Sequence, residues 1–188
     1  MIYVIEHLEE ELGEWCLIEY EHISKIVGKE NLWITNVRGM KGKERLEKFC
    51  KVFDESVNEI IGDSEEIAIL DPEAGKILRH KDCVDIKYFV FGGILGDYPA
   101  RKRTGKELSW KFKSAQKFNL GKEQMATDNA VYVVSQIVKG KDMEKMEFVG
   151  NIRVKINDVL TTELPFKYVK VPLRIGIASW KGRKLEGA

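Results

Sequence analysis

Cysteine is scarce and scattered. Cys16, Cys50 and Cys83 form no C-x-x-C pair and have no histidine at zinc-ligand spacing, which excludes a disulfide framework and a metal-ligand cluster of the usual kind. They read as buried free thiols. No long apolar run exists to cross a membrane, and the opening Met-Ile-Tyr-Val-Ile-Glu-His has no basic leader region, so a cytoplasmic protein that stays off membranes is expected. Low-complexity stretches, linkers and internal repeats are also missing. Neither G-x-G-x-x-G nor G-x-x-x-x-G-K-[ST] occurs, which leaves the phosphate-cradling loops without support.

What is present is the raw material of one folded unit. The 188 residues are 44% hydrophobic and 32% charged, enough to bury a core without staples, and a single domain over 1–188 is expected, with 181–188 as a tail. The net charge of +1 conceals an asymmetry. Residues 1–30 hold eight acids against two lysines, whereas residues 98–122 hold eight Lys or Arg against one Glu. The basic stretch is either a face for an anionic partner or a solvated surface.

Apolar spacing predicts an alternation of strands and helices. Ile2–Ile5 reads as a buried strand, followed by a helix carrying Leu8, Leu12, Trp15, Glu19 and Ile23 and ending near Gly28. A strand over Asn31–Val37 precedes a second helix from Lys43 to Gly62, with Leu46, Phe49, Cys50, Phe53, Val57 and Ile60 on one face. Strands are expected at Glu65–Leu70 and Ile86–Phe91. Glu123–Lys139 is predicted helical despite the strand propensity of Val131-Tyr132-Val133-Val134, because the segment is long and apolar at too many positions for an edge strand. Phe148–Ile156 and Pro165–Val171 look like strands. The pattern predicts an α/β fold with a mostly parallel sheet flanked by helices, and ligands collect at the carboxyl ends of such strands.

Two segments could carry chemistry. Phe91-Gly92-Gly93-Ile94-Leu95-Gly96-Asp97 places three glycines after an apolar strand, where the backbone can turn sharply and approach a flat, nucleotide-like ligand. Composition alone leaves a plain tight turn open as the alternative. Asn119 to Ala130 is a polar loop running into a helix, and by propensity Thr127, Asp128 and Asn129 are capping or turn residues first.

Taken together and in order, these pieces resemble a known family. Tyr3-Val-Ile-Glu-His-Leu-Glu-Glu with Glu14-Trp15 and Glu19-Tyr20, Gly92-Gly-Ile-Leu-Gly-Asp with Pro99 and Arg101 to Thr104, Gln124-Met125-Ala-Thr-Asp128 and Leu164-Pro165-Phe166-Lys-Tyr168 are similar to one small branch of the SPOUT methyltransferases. That branch contains predicted archaeal RNA methyltransferases and a eukaryotic arginine methyltransferase acting on a small-subunit ribosomal protein. The resemblance implies a carboxyl-terminal trefoil knot and S-adenosylmethionine as cofactor. It assigns the cofactor loops to Leu70, Asp71 and Pro72, to Gly92, Gly93, Leu95, Gly96 and Asp97, and to Leu120, Gln124, Met125 and Thr127. It also implies a monomer acting on a ribosomal or translation protein, with RNA as the alternative substrate and a non-catalytic ribosome or RNA binder as a third reading.

Methyl transfer needs in-line positioning, and a base only where the nucleophile carries a proton. A guanidinium is such a nucleophile. Asp97 is the first candidate base, with Asp128 and Glu6 behind it, and a turn residue bonding its own backbone is the alternative role for Asp97. Arg101 and Arg103 either grip a phosphate or acidic patch near the methyl or stay solvated. The family is more acidic and proline-rich here, with His in place of Tyr98. His7, His22 and His80 are given structural or surface roles. Trp15, Trp33 and Trp110 are expected in the core, Trp110 otherwise serving to stack a base.

Overall fold

The computed structural model describes residues 1–96, 101–155 and 161–170. Six strands form one wholly parallel sheet: β1 (Ile2–His7), β2 (Leu32–Thr35), β3 (Lys51–Val52), β4 (Ile67–Leu70), β5 (Tyr88–Gly93) and β6 (Gln116–Phe118), in the order β3-β2-β1-β5-β4-β6. Helices cover both faces, which is why the central strands are apolar without a break. The side chains obey the strand period of two. Tyr3, Ile5, Ala68, Leu70, Phe89 and Phe91 face the larger core, beneath α1 (Glu14–Val27) and α5 (Thr127–Val138). Val4, Ile67, Ile69 and Val90 face a smaller core closed by Val57 and by Leu108, Phe112 and Ala115, which follow α4 (Arg103–Glu107).

The first helix starts later than its periodicity suggests. Residues 8–13 form a loop, and the buried stripe of α1 is Cys16, Leu17, Tyr20 and Ile23. This turns Trp15 outward, 40% exposed, against the expectation that it packs inside. Trp33 is partly buried between Phe53 and Tyr88.

The helix expected from Lys43 to Gly62 does not exist. That stretch is α2 (Lys43–Leu46), then β3, then α3 (Val57–Ile61). The chain leaves the helical path to extend the sheet: Lys51 and Val52 pair with Trp33 and Ile34, and Phe53 N–H donates to the Ile34 carbonyl at 2.9 Å. Ser56 and Glu59 then form a capping box that starts α3, and Gly62, at φ 70°, ends it. The apolar spacing was the sum of two short helices and an edge strand that happened to share a phase.

The strand β6 had no sequence signal, being three residues with only Phe118 buried. It is set by a distant group, since the Asp63 carboxylate accepts the N–H groups of Lys113, Ser114 and Ala115 at 2.8 to 3.0 Å just before it. For α5, tertiary burial overrides β-propensity: Val131, Val133, Val134 and Ile137 are all inside. Two further strands, β7 (Phe148–Lys155) and β8 (Thr161–Val169), form a separate antiparallel pair. β8 reaches the main body through Lys167 N–H to the Gln124 carbonyl (2.9 Å) and Val169 N–H to Asn129 Oδ1 (3.1 Å). The expected tail, 181–188, lies outside the described residues, as do residues 171–180.

Candidate functional site

At the carboxyl ends of β4, β5 and β6 the structure encloses a cavity of about 350 Å³, the place and size at which open α/β sheets take small ligands. Its walls are mainly apolar, from Leu70, Phe91, Ile94, Leu120 and Met125, with Asp71, Asn119, Gln124 and Thr127 supplying polar atoms. Such a slot suits a flat heterocycle with a few directed hydrogen bonds.

The loops around it are fixed by their own side chains. Asp71, almost fully buried, accepts the Ser109 hydroxyl at 2.6 Å and the Glu73 N–H at 3.0 Å. Asn119 donates to the Ala74 carbonyl at 2.6 Å and accepts the Gly121 N–H at 2.9 Å, so the loops after β4 and β6 are tied together. Gly121 sits at φ 97°, which only glycine adopts freely and which lets that loop fold back over the cavity. Across the rim, Lys102 and Glu73 pair at 2.6 Å.

Of the residues assigned from the sequence, Leu70, Asp71, Pro72, Gly92, Leu120, Gln124, Met125, Thr127, Arg101 and Arg103 all line this cavity. Others do not. A side chain on Gly93 would collide with the Tyr20 hydroxyl and approach Ile5 Cγ2 at 2.9 Å, so this glycine makes room for α1. A side chain on Gly96 would collide with Gln124 and meet the Phe166 ring at 2.7 Å. Leu95 is 38% exposed, and its N–H is held by Glu9 Oε1 at 2.9 Å. Asp97, Tyr98 and Pro99 lie outside the described residues.

The remaining charged candidates are already engaged. Arg103 donates to Glu9 (2.7 Å), Glu107 (2.7 and 3.1 Å) and the Leu8 carbonyl (2.7 Å), which differs from a solvated or phosphate-gripping arginine. With Glu9 it ties together both ends of the segment that contains Asp97. Asp128 follows the cavity wall by one residue but bonds His22 Nδ1 at 2.7 Å and both nitrogens of Asn129. Glu6 is fully buried at the end of β1 and receives Thr35 Oγ1 (2.6 Å), Val57 N–H (2.9 Å), Lys111 Nζ (3.2 Å) and the Ser56 hydroxyl. Such a carboxylate is structural and has no lone pair to spare for a substrate proton.

Sequence reasoning missed Glu9 and gave Glu19 only a place on a helix face. Glu19 accepts the Asp128 N–H (3.4 Å), and burial, then the Asp128 charge, push its carboxyl up to about 8. Neither residue has a local signal, because their partners lie 86 to 109 positions away. His7 is buried with Nδ1 2.8 Å from the Tyr20 hydroxyl, and burial lowers its pKa. Trp110, expected inside, is 68% exposed.

A family model described as protein arginine N-methyltransferase SFM1-like matches residues 2–175. The chain belongs to this family. It is 35% identical over 184 residues to protein arginine N-methyltransferase SFM1 of Saccharomyces cerevisiae, covering 90% of this chain and 86% of that protein. The crystal structure of yeast SFM1 complexed with SAH superposes with a TM-score of 0.79 at 32% identity, over 89% of this chain and 86% of that one. The complex of yeast SFM1 with SAM gives 0.77 at 32% identity, over 89% and 81%. Trm10 from Thermococcus kodakaraensis, at 17% identity, shares the fold with a TM-score of 0.59 over 77% of this chain and 96% of that one.

Proposed function

We propose that this SFM1-like protein is an S-adenosylmethionine-dependent methyltransferase that modifies an arginine side chain of a protein, with a ribosomal or translation protein as its target. The observation that carries the reading is the 35% identity to yeast SFM1 over nine-tenths of the chain, cavity loops included. The cavity fits the cofactor in kind, with apolar walls for the adenine and sparse polar atoms at its edges. Leu70, Asp71, Pro72, Gly92, Leu120, Gln124, Met125 and Thr127 would hold it, with Gly93, Leu95 and Gly96 shaping the turn. When bound, its sulfonium supplies an activated methyl group.

The chain's own work is to orient the acceptor and take a proton. A guanidinium nitrogen has no free lone pair in water, so a carboxylate must align it and accept the proton lost as the new carbon–nitrogen bond forms. Asp97 is the proposed base. Arg103 acts through Glu9 as a positioning residue that fixes the segment on either side of Asp97, and Arg101 and Asp128 complete the proposed set. The same reading includes the trefoil knot and a monomer working in the cytoplasm, both on the strength of the family resemblance.

RNA methyl transfer is the second reading, favoured by the eight cations within 98–122 and the exposed Trp110. The test is transfer of labelled methyl from S-adenosylmethionine to unmodified ribosomal subunits, followed by digestion. Label that survives nuclease and is released by protease supports arginine methylation. Label released by nuclease moves the assignment to RNA, and absence of label with the cofactor bound refutes catalysis on these substrates.

A further inference from the structure

We propose that an open basic groove at the far end of α5 docks the phosphate backbone of RNA, as a site distinct from the cavity. It has a volume of about 640 Å³. Arg79 and Lys81 stand on one side, Lys141 and Lys145 on the other, with His80 between them and a single carboxylate, Asp142, in the lining. All four permanent cations are exposed, and none makes an ion pair among the described residues. Elsewhere Lys25, Lys43, Arg45, Lys76, Lys87 and Lys102 each meet a carboxylate, and what sets these four cations apart is their convergence on one trough.

The groove is built, not incidental. The helix α5 ends in a Schellman turn: Lys141 N–H donates to the Gln136 carbonyl (2.9 Å), Gly140 N–H to the Ile137 carbonyl (2.9 Å), and Gly140 adopts φ 87°. The turn satisfies helix-end carbonyls that would otherwise repel an anion, and it fixes where Lys141 leaves the backbone. His80 Nδ1 lies 3.0 Å from the same Ile137 carbonyl, which ties the Arg79–Lys81 wall to the helix end. The floor is Leu78, Ile137, Met143 and Met146, anchored in the main core.

Rigid walls that set four cations against one carboxylate along an open trough match a polyanion with regularly spaced charges, and phosphate contacts of this kind position a nucleic acid without reading its sequence. A small anion would need an enclosed site with directed donors, which this groove lacks. Along α5 the nearest lining residues of the two sites, Ala130 in the cavity and Ile137 in the groove, stand seven positions apart, about 10 Å at the α-helical rise. An RNA held there leaves the cavity mouth free. The inference does not depend on methyl transfer and can be tested without cofactor.

The probe is a labelled single-stranded RNA of about 20 nucleotides, titrated with the full chain by fluorescence anisotropy at potassium chloride from about 50 to about 200 mM. Four phosphate contacts predict a log–log salt slope near about −3. Lys81→Glu with Lys141→Glu should weaken binding about tenfold or more and flatten the slope to about −1, while Lys113→Glu with Lys117→Glu, in the other basic stretch, should change little. Melting curves establish that the variants fold, and Lys81→Ala with Lys145→Ala, which adds no repulsion, should show the same loss in smaller measure. Three outcomes overturn the proposal: no RNA binding at low salt, an unchanged slope in the first pair, or displacement of the loss to the second pair. Binding of a polyglutamate peptide in place of RNA would also overturn it. Failure here leaves the methyl-transfer reading intact, since that reading is judged by label transfer.

Discussion

Replacing Glu6 by alanine should cost this protein about 3 to 5 kcal/mol of folding stability. Four donors converge on that carboxylate, from β2, from the start of α3 and from Lys111; Ser56 and Lys111 also reach Asn58 Oδ1 (2.7 Å) and Ser56 Oγ (3.1 Å), whereas Thr35 Oγ1 and the Val57 N–H depend chiefly on Glu6. Removing the acceptor leaves the Thr35 hydroxyl and the Val57 N–H short of a partner, each worth about 1 kcal/mol or more when buried and unpaired, and leaves the Lys111 ammonium without its counter-charge. Lys111 is 22% exposed at its side chain, so it can turn toward water, which keeps the loss below that of a fully enclosed pair. Glu6→Gln retains an acceptor and should cost about 2 kcal/mol. The measurement is urea denaturation followed by circular dichroism, with a double-mutant cycle against Lys111→Met to isolate the ion pair, expected at about 1 kcal/mol or somewhat more. A loss under about 1 kcal/mol for Glu6→Ala would refute the view that this carboxylate organises the carboxyl end of β1.

Gly93→Ala should destabilise the fold by about 1 to 3 kcal/mol through overpacking against Tyr20, while the surviving folded protein binds S-adenosylmethionine as the parent does; weakened binding with unchanged stability would place Gly93 in the site after all. Arg103→Ala should reduce turnover and cofactor affinity about tenfold by releasing Glu9 and the segment it holds, and Arg103→Lys should fail to restore them, because one ammonium cannot replace the guanidinium's separate bonds to Glu9, Glu107 and Leu8; full rescue by lysine would reduce the role to charge alone. Glu19 has its carboxyl raised from 4.5 to about 8, first by burial and then by Asp128, so the folded state keeps a proton that the unfolded chain has released. Its stabilising contribution is complete below 4.5 and declines as pH rises toward 8, and Glu19→Gln should remove roughly 1 to 2 kcal/mol of that decline after allowance for solvent screening. Parallel stability–pH curves for parent and variant would contradict it.

The sequence by itself determined the class of fold, and its resemblance to a family pointed to the loops that line the cavity. Unbroken apolar strands such as Ile2–His7 and Tyr88–Gly93 admit little except a sheet covered on both faces, and glycine at the end of β5 marks where the backbone must be unobstructed. The length of α5 was enough to outweigh the strand propensity of its valines. Tertiary structure alone decided the rest. It broke the 43–62 helix to supply an edge strand, because pairing with Trp33 and Ile34 lies outside any local window. It turned Gly93 toward Tyr20 and rotated Trp15 out to solvent. It enlisted Glu9, Arg103 and Glu6 as organisers, since a carboxylate's partners about 30 or 100 residues away leave no periodicity to read. Local spacing reports which face of an element is buried, but the partner waiting there is chosen by the whole chain.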